Sequence, residues 1–166
     1  DPKVEAVGYN YLRWAAQEPK RESTQEAKPQ EAKPQEAKPG ATPNDPFFGA
    51  QWGHSRISAP QAWDVATGNG ALISVLDTGI DAGHPDIGGK LDFQFDPCNN
   101  DNTADEENGH GTHVAGIATA SSFNGTGIAG TAPNARLQAA KVLCGPQGGG
   151  TDGSIVAGIH WSLLAP

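Results

Sequence analysis

The chain has 166 residues, a formal net charge of −8, 22 glycines, 13 prolines and no methionine. This length favours one domain, and the glycine and proline content predicts a loop-rich, secreted α/β protein whose targeting segment would lie upstream. No apolar run approaches the roughly 20 residues that a membrane-spanning helix needs, so the sequence predicts no membrane partner.

The negative charge lies entirely beyond residue 40. Residues 1–40 carry seven basic and seven acidic side chains, whereas residues 41–166 carry four and twelve. Nine of the acids fall between Asp77 and Glu107, where Lys90 is the only base. Such a concentration repels nucleic acid and favours a hard cation, although a solvated acidic loop has the same composition.

The N-terminal quarter contains a repeat. QEAKP occurs three times in residues 25–39, and a proline at every fifth position interrupts helix, while Glu and Lys leave little apolar surface to bury. Residues 13–43 are therefore predicted to form an exposed, semi-extended and easily cleaved linker. A partner-binding repeat is the alternative, but it would have no aromatic anchor.

A short helix and a strand are predicted next. Ser58 is a capping residue for a helix that would direct Ala62, Trp63 and Val65 toward a core. Residues 71–76 are apolar except for one serine, as expected for a strand covered on both faces of a parallel sheet.

Another strand and another helix end the chain. Residues 136–143 read as a strand, and Thr151 or Asp152 can cap the helix after it. Alternation of strands and helices indicates the α/β class. The apolar side chains expected on one face of this last helix are Ile155, Val156, Ile159 and Leu163.

Asp77 and His110 are the candidate catalytic residues. Asp77 ends the strand of residues 71–76, at the edge where open α/β sheets place their ligands. His110 opens a predicted helix, whose dipole favours the neutral imidazole that a general base needs. A carboxylate can orient such a base. His113, three residues later, suggests a His-x-x-His metal site, but no HExxH-type glutamate accompanies it, so we expect it to pack.

Three motifs around these residues resemble one family. ISVLDTGID with HPD, then GHGTHVAGIA, then GIAGTAP are similar to the first half of the catalytic domain of subtilisin-like serine proteases, and of thermitase-like members in particular. The resemblance covers residues 44–166. It implies an α/β fold in which a parallel sheet lies between two helix layers, with the C-terminal part of the domain missing.

The resemblance also extends to residues 1–12. DPKVEAVGYNYL is similar to the last strand of the family's inhibitory propeptide, which implies that the chain carries part of its own intramolecular inhibitor. An edge strand of another purpose is the alternative.

The family's activity is the hydrolysis of polypeptides by an Asp-His-Ser triad. The resemblance makes Asp77 and His110 two of its members, whereas no serine of this chain lies in the family's Gly-Thr-Ser-Met-Ala-type turn, and the oxyanion-hole asparagine is absent. We therefore expect these 166 residues alone to be inactive. Two alternatives are a non-catalytic calcium-binding scaffold with the same fold and a self-sufficient interaction module.

The resemblance implies a substrate site as well. Gly148, Gly149 and Gly150 correspond to the strand on which the family pairs the substrate backbone, and pairing through the main chain gives broad specificity. A flexible loop is the alternative for these glycines.

Two calcium sites and one disulfide follow from thermitase-like and aqualysin-like relatives. Oxygen donors suit calcium. Cys98 and Cys144 would form the disulfide, which a secreted compartment permits, although two free thiols are the alternative. The first site would use Asp45, Asp86 and Asn124 by side chain and Ser121, Thr126 and Ile128 by carbonyl; the second would use Asp96, Asp101 and Asp105 with the carbonyl of Thr103.

Overall fold

The structure is a computed structural model, and it describes residues 40–164. The predicted propeptide end, residues 1–12, lies outside the described residues. So does the predicted linker, except for its last residues 40–43.

Short helices precede an alternation of strands and helices. After a 3-10 helix at Phe48–Ala50, the elements are α1 (Trp52–Arg56), α2 (Ala59–Trp63), β1 (Leu72–Asp77), β2 (Leu91–Phe95), α3 (His110–Thr119), β3 (Arg136–Lys141) and α4 (Asp152–Leu163).

The three strands form one parallel sheet in the order β1-β3-β2. Successive side chains of a strand point to opposite faces. On one face, Val75 and Ala139 pack with Ala115 of α3. On the other face, a β-carbon at Gly158 of α4 would lie 3.2 Å from that of Ala140. The sheet is therefore covered by one helix on each face, which confirms the α/β prediction and the three layers.

The last helix differs from its predicted packing. Thr151 caps it as expected, because its side chain accepts a hydrogen bond from the Ser154 main-chain N–H. The predicted inward face, however, is exposed: Ile155, Val156, Ile159 and Leu163 are 37–78 % exposed. The buried residues are the small ones Ser154, Ala157 and Gly158, together with Trp161, because small residues let the helix approach the sheet closely. The prediction for this face is wrong.

The helix near Trp63 also differs. Trp63 is buried, but Ala62 and Val65 are exposed, because a helix of five residues presents only one narrow side to the core. Ser58 adopts a left-handed conformation with φ 55° and makes no side-chain capping bond.

Candidate active site

The sheet and helix α3 bring Asp77 and His110 together. Asp77 is the last residue of β1 and His110 is the first residue of α3. Nδ1 of His110 lies 2.7 Å from Oδ1 of Asp77. The Asp77 side chain is 12 % exposed and the His110 side chain is 61 % exposed, so a shielded carboxylate holds an imidazole that solvent and a substrate can reach.

This hydrogen bond sets the tautomer of His110. A carboxylate accepts it only from a protonated Nδ1, which leaves the lone pair on Nε2, where a general base needs it. Oδ1 of Asp77 also accepts the main-chain N–H of Thr78 at 2.7 Å. The Asp77 side chain is therefore also held by the main chain of the residue that follows β1.

Gly111 permits the close approach of α3 to β1. A β-carbon at this position would overlap the main-chain oxygen of Gly79 and lie 3.2 Å from the β-carbon of Asp77. Gly109, with φ 98°, adopts the left-handed conformation that starts the helix. The glycines on both sides of His110 are thus requirements of the site geometry.

Glu106 is a site residue that sequence reasoning missed. Partial burial raises the pKa of its carboxyl group, but hydrogen bonds from the main chain of Gly109, Asn108 and Thr112 and from the Thr78 hydroxyl outweigh burial and lower the pKa to about 2. The carboxylate is therefore ionised at neutral pH. The sequence alone does not single out Glu106, because it is one of nine acids in the same stretch.

Of the three glycines predicted to bind substrate, Gly148 ends a turn and the other two follow it. Gly149 pairs antiparallel with Cys144, and Gly149 and Gly150 are exposed. A β-carbon at Gly148 would lie 3.2 Å from the Thr78 side chain. The segment therefore adjoins the end of β1, close to the residue that follows Asp77, and its role in substrate binding stays a prediction.

The first predicted calcium site is brought together around two buried carboxylates. Asp45 and Asp86 are 4 % and 2 % exposed. The loop of residues 121–128 wraps them: Phe123 donates its main-chain N–H to Asp45 at 2.9 Å, and Ile128 donates its own to Asp86 at 2.9 Å.

The remaining predicted donors of this site lie on the same loop. The Asn124 side-chain amide contacts Asp86 at 2.9 Å. Within residues 40–164, the carbonyls of Ser121, Thr126 and Ile128 accept no hydrogen bond. These carbonyls lie on a loop that also contacts two buried carboxylates, and all are oxygen donors of the kind that calcium requires, so the chemistry of the residues fits the ion.

The second predicted calcium site is not assembled. The buried carboxylate of Asp96 accepts the main-chain N–H groups of Cys98 and Asn99 at 2.7 and 3.0 Å and lies 4.0 Å from the Lys141 amine. Its carboxylate therefore already contacts a turn and a buried cation. The other three predicted ligands, Asp101, Thr103 and Asp105, are exposed.

No group of three or more His, Cys, Asp or Glu side chains suited to a metal occurs in the described part of the chain. The three carboxylates of the second site are therefore not grouped here, and that site stays a prediction. The first site has only two carboxylates among its predicted ligands. It would depend on Asn124 and on main-chain carbonyls as well, and neither belongs to the side-chain types considered in this group.

Cys98 and Cys144 form the expected disulfide. Their Cα atoms are 5.8 Å apart and the bridge spans 46 residues. It joins the acidic loop after β2 to the glycine turn at Gly149, which pairs with Cys144. Both loops flank the carboxyl ends of the strands, where Asp77 lies.

His113 differs from expectation, and a second histidine is buried. His113 is exposed and so does not pack in the core. His54 is 5 % exposed and lies 5.9 and 5.7 Å, between ring centroids, from Phe48 and Trp63. Burial lowers the pKa of His54, although a hydrogen bond to the Gly130 main chain opposes this shift. Among residues 40–164, its Nε2 has no hydrogen-bond partner.

Comparison with known proteins places this geometry in a family. The sequence profile of the Subtilase family matches residues 68–165. Thermitase of Thermoactinomyces vulgaris is 50 % identical over 122 residues, which are 73 % of this chain and 43 % of that protein. A thermophilic serine proteinase of Bacillus sp. (strain AK1) is 48 % identical over 104 residues, 61 % of this chain and 26 % of that protein.

Solved structures agree with this result. A protease of Pseudoalteromonas arctica superimposes with a TM-score of 0.66 at 33 % identity, over 74 % of this chain and 44 % of that one. Fervidolysin of Fervidobacterium pennivorans, a keratinolytic enzyme related to subtilisin, gives a TM-score of 0.64 at 30 % identity, over 72 % and 19 %.

A parallel three-layer α/β fold with an aspartate and a histidine paired at the strand ends defines a subtilisin-like domain. The chain belongs to the subtilase family. It spans less than half the length of these relatives. Between residues 40 and 164, none of the helices has the length and apolar character needed to span a bilayer.

Proposed function

We propose that this chain is the N-terminal half of the catalytic domain of a secreted, calcium-stabilised serine endopeptidase. The hydrogen bond of 2.7 Å between Asp77 and His110 carries the proposal. The nucleophilic serine and the oxyanion-hole asparagine would come from a part of the protein beyond these 166 residues, in which no serine lies in the family's turn.

The proposed mechanism uses the free nitrogen of His110. Nε2 takes the proton of the serine hydroxyl as its oxygen attacks the substrate carbonyl, and then delivers that proton to the leaving amine. Asp77 keeps Nδ1 protonated and stabilises the imidazolium that forms. In subtilisin, losing the nucleophile or the base lowers turnover about 10⁶-fold, so we expect the chain without its serine to be inactive.

The proposed substrates are polypeptides held through their main chain. Gly148, Gly149 and Gly150 would offer main-chain hydrogen bonds to an extended substrate, and the position of Gly148 beside Thr78 supports this role. Glycines add no side chains that would select among substrates. We therefore expect broad endopeptidase specificity on this side of the site.

The proposed calcium ion would be held by Asp45, Asp86 and Asn124 and by the carbonyls of Ser121, Thr126 and Ile128. The ion would neutralise two buried carboxylates and fix the loop of residues 121–128, which follows α3. That loop supports the C-terminal end of the helix that carries His110, so calcium would stabilise the site without touching the reaction.

Residues 1–12 are proposed to be the end of an inhibitory propeptide, and the QEAKP repeats the linker that is cleaved on maturation. The disulfide between Cys98 and Cys144 supports an extracellular location, since such bonds persist in oxidising compartments.

The test uses the complete protein that carries this chain. We expect it to hydrolyse casein, to be inactivated by phenylmethylsulfonyl fluoride, and to lose activity in His110→Ala. His113→Ala is the matched control, since it removes an exposed histidine from the same helix, and its activity should be unchanged. If the complete protein neither hydrolyses casein nor is modified at a serine by phenylmethylsulfonyl fluoride, the result would instead support the non-catalytic scaffold.

A further inference from the structure

We propose that Glu106 is a positioning residue for His110: its carboxylate fixes the start of α3 against the end of β1. This inference rests on the proposed endopeptidase function, for which the hydrogen bond between Asp77 and His110 must be held in one geometry.

Each oxygen of the Glu106 carboxylate accepts two hydrogen bonds. Oε1 accepts the Thr78 hydroxyl at 2.8 Å and the Asn108 main-chain N–H at 2.9 Å. Oε2 accepts the main-chain N–H of Thr112 at 2.9 Å and its hydroxyl at 3.2 Å. A carboxylate with four donors around it has one orientation, so it can serve as a fixed point for the groups that donate to it.

These donors flank the two members of the pair. Thr78 directly follows Asp77, and its hydroxyl accepts the main-chain N–H of Gly111 at 2.9 Å, the residue directly after His110. Thr112 is the next residue of the helix. Glu106 therefore links Thr78, which follows Asp77, to the two residues that follow His110. These contacts hold β1 and α3 at the separation that the Asp77–His110 hydrogen bond spans.

The carboxylate also caps the start of α3, together with Asn108 and Thr78, whose side-chain oxygens accept the main-chain N–H groups of His110 and Gly111. The residue before the helix is Gly109, which has no side chain to cap it, and the first N–H groups of a helix have no partner within it. Glu106 accepts the Thr112 N–H, and its negative charge interacts favourably with the positive end of the helix dipole. The low pKa of this carboxyl group is consistent with these contacts.

Glu106→Gln is the perturbation, because the side chain keeps its size while one oxygen becomes an NH₂ group. That group would face two hydrogen-bond donors instead of accepting from them. A displacement of about 1 Å at a reacting group can cost about 10²-fold in rate. We expect kcat to fall by about tenfold to a hundredfold, while KM changes by less than about twofold because substrate contacts remain.

Glu107→Gln is the matched control. It removes the same charge one residue later, and Glu107 pairs with the Lys141 amine at 3.1 Å but makes no hydrogen bond to α3 in the described part of the chain. Its kcat should stay within about twofold of the wild-type value. Thr78→Val, which removes only the hydroxyl between Glu106 and Gly111, should also lower kcat.

A second measurement does not depend on hydrolysis. In NMR spectra of the complete protein labelled with ¹⁵N-histidine, the hydrogen-bonded Nδ1 proton of His110 should persist in Glu107→Gln and broaden or disappear in Glu106→Gln. Inactivity of the wild-type protein would refute the proposed function, while this signal would still test the positioning role. Equal kcat and equal His110 signals in the two Gln variants would overturn the inference.

Discussion

Gly111→Ala is predicted to separate the catalytic pair while leaving the protein folded. The added β-carbon would overlap the Gly79 main-chain oxygen. The two atoms would be closer, by more than about 1 Å, than an ordinary carbon–oxygen contact of about 3.3 Å. It would also lie 3.2 Å from the Asp77 β-carbon. Because one obstacle is the last residue of β1 and the other lies two residues after it, the start of α3 must move away from that strand.

The magnitude follows from the length of the hydrogen bond. A retreat of about 1 Å would stretch the contact of 2.7 Å between Asp77 and His110 beyond hydrogen-bonding range. Misplacement on this scale lowers the rate about 10²-fold, and overpacking costs about 1–3 kcal/mol of the free energy of unfolding. The assay is kcat for peptide hydrolysis by the complete protein, with the free energy of unfolding measured by urea denaturation.

Gly116→Ala is the matched control on the same helix. A β-carbon at Gly116 would meet its nearest neighbour, a side-chain carbon of Ile128, at 3.6 Å, an ordinary contact. Alanine should raise the free energy of unfolding by up to about 1 kcal/mol because its helix propensity is higher, with kcat unchanged. Wild-type kcat in Gly111→Ala, or an equal loss of kcat in both variants, would refute the reasoning.

Three further predictions concern stability. Burial lowers the pKa of His54, so its contribution should be complete above the ordinary pKa of about 6.5 and lost as the pH falls below it; the fall in Tm between pH 7.5 and 5 should be smaller in His54→Gln. Replacing Cys98 and Cys144 by serine should lower the free energy of unfolding by about 4 kcal/mol, as the loss of a crosslink spanning 46 residues predicts, and an unchanged urea midpoint would contradict this. A chelator should lower the Tm, because calcium at a concentration of 100 times its dissociation constant would add about 2.7 kcal/mol to the free energy of unfolding. Asp86→Asn should abolish that sensitivity and Asp105→Asn should not.

The pairing of Asp77 with His110 could be predicted because both signals are local. A buried apolar strand that ends in a carboxylate and a glycine-flanked histidine at a helix start each have a physical reason visible in the sequence. Parallel strands then bring such residues to the same edge of a sheet. The disulfide was left open by the residues themselves, because the distance between two cysteines depends on the fold.

The failures share another cause. The apolar face of α4 was predicted from periodicity, but Gly158 and Ala157 face the sheet because close helix packing selects small residues, which periodicity does not weigh. The second calcium site stays a prediction, and the contact of Asp96 with Lys141, a residue 45 positions away, was not visible in the sequence. Glu106 was missed for the same reason: its partner Thr78 lies 28 positions earlier in the chain.

The most direct test of the central claim is a double-mutant comparison of kcat for Asp77→Asn, His110→Ala and the combined variant in the complete protein. Residues that act as one unit give losses that do not multiply. We predict losses of about 10⁴-fold for Asp77→Asn and about 10⁶-fold for His110→Ala, with the combined variant no slower than His110→Ala. Losses that multiply, or a fully active Asp77→Asn enzyme, would contradict the claim that the carboxylate acts through the imidazole.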